Sequence, residues 1–213
     1  MSIEKNQLKI KVCGLTMKEN IRKVAALDID MIGLNFAPTS PRFLRNKKSI
    51  IDLLGEINHV QKVGIFVDPS AQLVSEMIDK YHLDKIQLHG HESADFCAIF
   101  HNKVRVIKAF GIDEYFDYKL LEKYKTSCHY LLFDTFTMMH GGSGRTFNWE
   151  LLKGKNIPLQ FLLSGGIDPT MVEKIKAIDI PNFSGIDINS KFETKPGIKN
   201  IEKIKTFINE LRG

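Results

Sequence analysis

Two side chains that can exchange protons lie where predicted β-strands end. Cys13 closes the short stretch 8–13, and Asp134 directly follows the apolar run 131–133. A thiol can be tuned to accept a proton near neutral pH, and a carboxyl that is partly removed from water can donate one. We therefore predict a base and an acid that act on opposite parts of one small substrate. The alternative for Asp134 is a cap on the loop that follows it.

Polar side chains and glycines also follow other strand-like stretches. They are His89, Gly165, Gly166, Asp187, Asn189 and Ser190. Backbone N–H groups in the loops of the last two strands can hold an anion, which predicts a phosphate site there. The glycine-rich run that contains Gly142, Ser143 and Gly144 is predicted to be a mobile loop that could close over a ligand. Each glycine run taken alone is also compatible with an ordinary turn.

These residues depend for their positions on strands that alternate with helices. Short β-branched or aliphatic runs predict strands over 8–13, 31–36, 62–67, 85–89, 105–109, 130–134, 160–164 and 185–188. Amphipathic patterns predict helices between them, for example over 18–27, 70–81, 93–100, 114–124, 169–178 and 200–211. This alternation predicts an α/β fold, a single (β/α)8 TIM barrel domain over residues 1–213. A doubly wound open sheet is the alternative, but its Gly-x-Gly-x-x-Gly turn after the first strand is missing.

The first strand adds a hypothesis about the floor of the site. Lys11 shares a strand face with Cys13, so it is predicted to point into the barrel beneath the thiol. A buried ammonium needs a partner, and Asp187 on the adjacent last strand is the best-placed carboxylate. We expect a Lys11–Asp187 pair that lowers the pKa of Cys13. The alternative is that Lys11 extends to the rim of the barrel.

Charge and composition narrow the class of protein. The net charge of +5 suits an anionic small-molecule ligand, and the basic residues are too scattered to indicate nucleic-acid binding. No apolar run approaches the ~20 residues of a membrane span, and the amino terminus lacks a signal-like run. The three cysteines fit neither a disulfide framework nor a metal cluster. We expect a cytoplasmic protein that binds neither membrane nor metal.

The ordered set of these motifs resembles the phosphoribosylanthranilate isomerases of tryptophan biosynthesis. The matching stretches are 11–16, 33–36, 40–43, 64–67, 87–90, 134–135, 141–144, 163–166 and 187–190, with Phe147, Trp149, Glu193, Pro196 and Gly197 beside them. Each motif is weak alone, but their order along nearly the whole chain is specific. The resemblance implies a (β/α)8 barrel that performs an Amadori rearrangement, in which an aminoaldose becomes an aminoketose.

The resemblance also implies roles for individual residues. Cys13 would be the general base and Asp134 the general acid, and Arg42 would contact the carboxylate of the anthranilate group. The loops after the last two strands would hold the phosphate, and no cofactor would be needed. The oligomeric state is left open between monomer and homodimer.

One position departs from the family pattern, and two alternative functions stay open. Many members have glycine after the Asn-Ser of the last strand, whereas this chain has Lys191, which would be strained if the position needs a positive φ. The alternatives are a non-catalytic phosphosugar-binding barrel and a related sugar-phosphate isomerase, such as that of histidine biosynthesis. The latter is expected to carry a carboxylate where Cys13 stands.

Overall fold

Parallel strands form a closed barrel in chain order. The computed structural model describes residues 8–135 and 148–213. The strands are β1 (Lys9–Val12), β2 (Met31–Asn35), β3 (Gln61–Phe66), β4 (Lys85–Leu88), β5 (Arg105–Ile112), β6 (Tyr130–Thr135), β7 (Phe161–Leu163) and β8 (Phe183–Ile188). β8 pairs with β1 and places Lys11 opposite Asp187, which closes the sheet. The barrel prediction is confirmed, and the open sheet is excluded.

Helical segments follow the strands and cover the outside of the barrel. The α-helices are α1 (Lys18–Ala25), α2 (Lys48–Glu56), α3 (Ala71–Tyr81), α4 (Ala94–Ala98), α5 (Val172–Lys176) and α6 (Ile201–Arg212). Single 3-10 turns or short 3-10 helices occupy Tyr118–Tyr124, Trp149–Leu152, Pro169–Met171 and Ser190–Phe192. Within the described ranges, no helix is long and apolar enough to cross a membrane.

The helix predicted over 114–124 begins later than expected and is not an α-helix. The side chain of Asp113 accepts a hydrogen bond from the N–H of Tyr115 at 3.0 Å, and that of Asp117 accepts one from Lys119 at 3.0 Å. Such local side-chain bonds compete with the α-helical ladder. The segment therefore turns at Asp113 and becomes a 3-10 helix only from Tyr118. The helix predicted over 169–178 is likewise a 3-10 turn followed by the short α5.

Alternate strand residues fill the inside of the barrel in layers. An apolar cluster contains Met31, Val63, Ile107, Leu132 and Leu162. Met31 is the first residue of β2, whereas Val63, Ile107 and Leu132 each follow the first residue of their strand by two positions. These side chains are at most 2% exposed. Because close-packed apolar side chains leave little space for water, Val63, Ile107 and Leu132 separate the carboxyl-terminal mouth of the barrel from its amino-terminal face.

A two-stranded hairpin that we did not predict follows β8. Its strands are β9 (Glu193–Lys195) and β10 (Ile198–Lys199). It is attached to the start of α1, where the side chain of Asn20 accepts from the N–H of Lys199 at 2.8 Å and donates to its carbonyl at 2.9 Å. This attachment brings Lys199 back toward the mouth of the barrel.

Candidate active site

Cys13 and Asp134 lie at the carboxyl-terminal ends of β1 and β6. The N–H of Cys13 donates to the carbonyl of Ile188 at 2.9 Å, so the end of β8 holds the thiol in place. Gly33 allows the sulfur to pack there, because a Cβ atom on Gly33 would lie 2.9 Å from the Cys13 Sγ. Two strands, β7 and β8, separate β1 from β6 along the shorter arc of the barrel. The two groups thus belong to different sides of one mouth.

The environment of Asp134 suits a proton donor. Burial raises the pKa of Asp134 to about 6, even though a 2.7 Å hydrogen bond from the N–H of Thr135 favours the carboxylate. The negative charge of Asp187 raises it further, whereas Lys11 and Ser164 act in the opposite direction. The predicted rise of this pKa is confirmed. Its side chain is still 26% exposed, so a ligand in the mouth can reach it.

His89 lies beside Asp134 and has a defined orientation. The side-chain amide of Gln87 lies 2.9 Å from the Nδ1 of His89. If the amide N–H donates, the ring proton of neutral His89 is on Nε2. This Nε2 is 3.7 Å from the Oδ2 of Asp134. His89 can therefore direct an N–H group toward the acid or toward a ligand bound next to it.

The Lys11–Asp187 pair is present under the site. The Nζ of Lys11 is 2.7 Å from the Oδ2 of Asp187, and both side chains are buried. Burial alone would lower the pKa of Lys11, but Asp187 and Cys13 outweigh it and raise it, so the ammonium stays charged. The Oδ1 of Asp187 is buried and has no hydrogen-bond partner within the described residues. It can accept a hydrogen bond from a ligand hydroxyl.

The expected effect of this pair on Cys13 was wrong. Burial raises the pKa of the Cys13 thiol, and the negative charge of Asp187 raises it again. Lys11 and Lys199 favour the thiolate but do not compensate. The sequence-based reasoning counted the nearby cation and left out the depth of the site and the carboxylate of the pair.

A second charged network, absent from our predictions, surrounds Arg42. The Nε and Nη2 of Arg42 donate to the two carboxylate oxygens of Glu193 at 2.9 and 2.7 Å. The buried Nζ of Lys199 donates to Glu193 at 2.7 Å and to the Oδ1 of Asn189 at 2.6 Å. Burial by itself would raise the pKa of Glu193, but these hydrogen bonds outweigh it and lower the pKa. No sequence signal marks Lys199, because it joins the site only through the hairpin.

The loop after β7 lies directly against the acid. Gly165 and Gly166 both have positive φ values, 80° and 73°. A Cβ atom on Gly165 would be 3.0 Å from the Oδ1 of Asp134, so only glycine fits there. Within the described ranges, neither glycine donates its N–H in a hydrogen bond. Both amides are thus available to an anion in the mouth.

The other predicted site residues have mixed outcomes. The side chain of Asn189 is held by Lys199, and Ser190 is exposed at the start of a 3-10 turn. The strain considered for Lys191 is absent, because the non-glycine residues with positive φ in the described ranges are Asp68, His82 and Asn182. Gly142, Ser143 and Gly144 lie outside the described residues.

Comparisons of the sequence and of the fold with known proteins all find the same family. A family model described as PRAI, N-(5'phosphoribosyl)anthranilate (PRA) isomerase, matches residues 10–210. The N-(5'-phosphoribosyl)anthranilate isomerase of Parabacteroides distasonis is 41% identical over 206 residues, which cover 95% of this chain and 92% of that protein. The solved phosphoribosyl anthranilate isomerase of Thermotoga maritima is 30% identical with a TM-score of 0.82, over 97% of this chain and 99% of that one.

Two further solved structures bear on ligand and assembly. A phosphoribosyl anthranilate isomerase that is 26% identical, with a TM-score of 0.77 over 97% of this chain and 99% of that one, is in complex with reduced 1-(o-carboxyphenylamino)-1-deoxyribulose 5-phosphate. Another, 27% identical with a TM-score of 0.80 over 97% of this chain and 99% of that one, consists of monomers generated from the dimeric Thermotoga maritima enzyme.

Proposed function

The chain belongs to the N-(5'-phosphoribosyl)anthranilate isomerase family, and we propose that Asp134 and Cys13 supply the acid and the base of its reaction. The substrate is N-(5'-phosphoribosyl)anthranilate and the product is 1-(2-carboxyphenylamino)-1-deoxyribulose 5-phosphate, an intermediate of tryptophan biosynthesis. The observation that carries the proposal is the pairing of a protonatable Asp134 with a thiol on the opposite side of one barrel mouth.

The first step opens the ribose ring. Asp134 donates its proton to the ring oxygen as the bond between that oxygen and C1 breaks, and the nitrogen lone pair forms the C1=N bond of a protonated Schiff base. With a pKa of about 6, roughly one Asp134 in ten is protonated at pH 7, so the acid is available without a cofactor. The Nε2 of His89 lies near enough to stabilise the carboxylate that remains.

The second step removes the proton on C2. The positive charge of the Schiff base acidifies this proton, and the Cys13 thiolate accepts it as the C–H electrons form an enolamine. The enolamine then takes up a proton on C1 and releases the proton of its C2 hydroxyl, which gives the ketone. Cys13 forms no covalent bond to the substrate in this sequence. Lys11 and Lys199 stabilise the thiolate against the burial that disfavours it.

The remaining residues hold the two ends of the substrate. The free amides of Gly165 and Gly166, together with the loop Asn189–Ser190, would bind the phosphate. Two of the five N–H donors of Arg42 engage Glu193, and the others can bind the anthranilate carboxylate.

The rest of the substrate contacts are proposed on the same basis. The unpaired Oδ1 of Asp187 would accept from a ribose hydroxyl. Gly142, Ser143 and Gly144, which lie outside the described residues, are proposed to take part in substrate binding. We further propose a cytoplasmic enzyme that acts as a monomer or homodimer and needs no cofactor.

The test is turnover of N-(5'-phosphoribosyl)anthranilate generated in situ, with the purified wild type, Cys13→Ser and the control Cys97→Ser. Cys97 is also a buried thiol, but it lies in α4 on the outside of the barrel. We expect turnover by the wild type and the control, and a loss of about 10²–10⁴ in kcat/KM for Cys13→Ser. Absence of turnover by the wild type would contradict the function, and full turnover by Cys13→Ser would point to a different base.

A further inference from the structure

The amino-terminal face of the barrel, opposite Cys13 and Asp134, contains a cavity of about 450 Å³. We call it the basal cavity and define it by Lys9, Asp30, Gln61, Lys85, Arg105 and Tyr130. Five of these residues are the first of their strands, and Asp30 directly precedes β2. The volume lies in the range of sites that bind small molecules.

Lys85 has no counter-charge in this cavity. Its side chain is only 4% exposed, and the described ranges provide it with neither a hydrogen-bond nor an ion-pair partner. It pairs in register with Arg105 on the neighbouring strand, so a second cation stands directly beside it. The adjacent carboxylate, Asp84, accepts a hydrogen bond from the backbone N–H of Lys62 at 2.7 Å, and its Oδ2 lies 3.7 Å from the Nζ of Lys62. A buried, unpaired ammonium is unfavourable unless something else neutralises it.

A third cation and a hydroxyl complete the lining. The Nζ of Lys9 donates to the hydroxyl of Tyr130 at 2.9 Å. Both ammonium groups also lie near the Tyr130 ring, Lys9 at 4.6 Å and Lys85 at 4.8 Å from its centroid. The ring face attracts cations but carries no net charge, so it only partly offsets their repulsion.

The carboxylate in the lining, Asp30, is partly neutralised by neighbouring groups. The Oδ2 of Asp30 accepts from the N–H of Ile10 at 2.8 Å and from the Nη2 of Arg212 at 3.2 Å. Arg212 also donates to the Oδ2 of Asp28 at 2.6 Å, so two carboxylates share one guanidinium and Asp30 keeps part of its negative charge at the edge of the cavity. Apart from Asp30, the cavity is lined by Ile29, His59 and a set of donors, namely three cations, a phenol and the side-chain amide of Gln61. These are the donors that proteins use for a phosphoryl group.

We propose that the basal cavity is a second ligand site, which binds the phosphoryl group of a small phosphate monoester. The phosphate dianion would lie between Lys85, Arg105 and Lys9. The cavity is larger than inorganic phosphate needs, which favours an organic phosphate over the free ion. Burial, Arg105 and Lys9 lower the pKa of Lys85 to about 8 although the negative charge of Asp84 acts in the opposite direction, and a bound dianion would raise this pKa again.

This site is independent of the isomerase reaction. Val63, Ile107 and Leu132 follow the first residues of β3, β5 and β6 by two positions, so these buried apolar side chains lie on the same strand face one step closer to the mouth. A phosphate that binds below these side chains cannot contact Cys13 or Asp134. Removal of Lys85 is therefore expected to leave kcat and KM for the isomerisation unchanged.

The test is a titration of the ¹⁵N-labelled full chain with inorganic phosphate and, separately, with glycerol 3-phosphate, monitored by backbone amide shifts at constant ionic strength with chloride as the reference. Two sets of amides are expected to shift and saturate. One is at Gly165–Gly166, and the other is at the start of β4 and β5. For the second set, the affinity measured for glycerol 3-phosphate is expected to be higher than that for inorganic phosphate.

Three variants locate the second set. Lys85→Met and Arg105→Gln should each lower the phosphate affinity measured from the second set by tenfold or more, without changing the affinity measured at Gly165–Gly166. Lys123→Met, which removes an exposed lysine remote from the cavity, should change neither. Arg105 is exposed, so its variant is expected to fold even if Lys85→Met does not. The proposal is overturned if phosphate shifts only the amides at Gly165–Gly166, if chloride reproduces the second set, or if Arg105→Gln binds like the wild type.

Discussion

Replacement of Asp134 by Asn should change the pH dependence of the reaction in a way that identifies the acid. In the proposed mechanism, catalysis needs Asp134 protonated and Cys13 ionised at the same time. The pKa of Asp134 is about 6, and that of Cys13 is raised above its ordinary 9.0. The competent form is therefore a minority of the enzyme at every pH, at most about 10⁻³, the ratio of the two acid dissociation constants.

This order of pKa values fixes the shape of the profile. Below about pH 6 the acid stays protonated, and kcat/KM rises tenfold per pH unit as the thiolate fraction grows. Above that pH each gain in thiolate is cancelled by an equal loss of protonated Asp134, so the rate is constant. Asp134→Asn cannot lose a proton, and its residual rate should continue to rise. The wild-type advantage should fall from about 10⁴ near pH 6 toward 10² near pH 8.

The assay measures kcat/KM of the wild type and of Asp134→Asn from pH 5 to 9. The substrate is generated in situ, and its consumption is followed. The substrate phosphate also titrates near pH 6, but it does so for both enzymes and cancels in their ratio. His89→Asn is the control, because histidine changes charge in the same pH range. A constant ratio between wild type and Asp134→Asn would refute the assignment of the acid. If the change of slope near pH 6 disappeared in His89→Asn, the role of the acid would have to be assigned to His89.

Three further outcomes follow from the packing. Gly33→Ala should displace the Cys13 sulfur, which would lie 2.9 Å from the new methyl group, and lower kcat by about 10²-fold with little change in KM. The control Gly55→Ala, on the exposed side of α2, should leave kcat unchanged. Steady-state kinetics of both variants checks this. Glu193→Gln should lower the free energy of unfolding by about 3 kcal/mol at pH 7 in urea titrations. This difference should shrink as the pH falls below 4.5, because the unfolded wild type then binds a proton that the folded carboxylate, with its lowered pKa, does not take up until a lower pH. Lys85→Met should raise the free energy of unfolding by about 3 kcal/mol at pH 7 without phosphate, because burial among cations lowers the pKa of Lys85 from 10.5 to about 8. This gain in stability should disappear toward pH 10.5, where Lys85 is neutral in the folded wild type. No gain at pH 7 would show that the ammonium is already paired.

The part of the site that strand geometry determines could be predicted from the sequence. Alternate residues of a strand face the same side, so the position of Cys13 at the end of β1 also places Lys11 beneath it. The closure of the barrel brings β8 beside β1, which pairs Lys11 with Asp187. The burial of Asp134 at the end of β6 could be predicted in the same way, from the apolar run before it. These inferences need only local pattern and the order of strands.

The net pKa of Cys13 could not be predicted in this way. It depends on the depth of the thiol and on the balance between a carboxylate and two ammonium groups. Lys199 reaches the site through a hairpin whose turn depends on contacts with α1. Neither its distance from Cys13 nor its hydrogen bond to Glu193 has a counterpart in sequence spacing.

The basal cavity shows a different limit of sequence-based reasoning. Lys9, Lys85 and Arg105 are far apart in the chain, and we interpreted the basic residues as scattered. Each of them is the first residue of a parallel strand, and closure of the barrel brings these positions to one face. Their shared position in the strands was the available signal, but charge counted along the chain does not reveal it.

The central claim is that Cys13 removes the proton from ribose C2, and substrate labelled with deuterium at C2 tests it most directly. The measurement is the transfer of deuterium from C2 to solvent or to C1 of the product, by wild type and by Cys13→Ser. The wild type should remove the label as product forms, and Cys13→Ser should do so about 10²–10⁴ times more slowly. Removal of the label by Cys13→Ser at the wild-type rate would contradict the account.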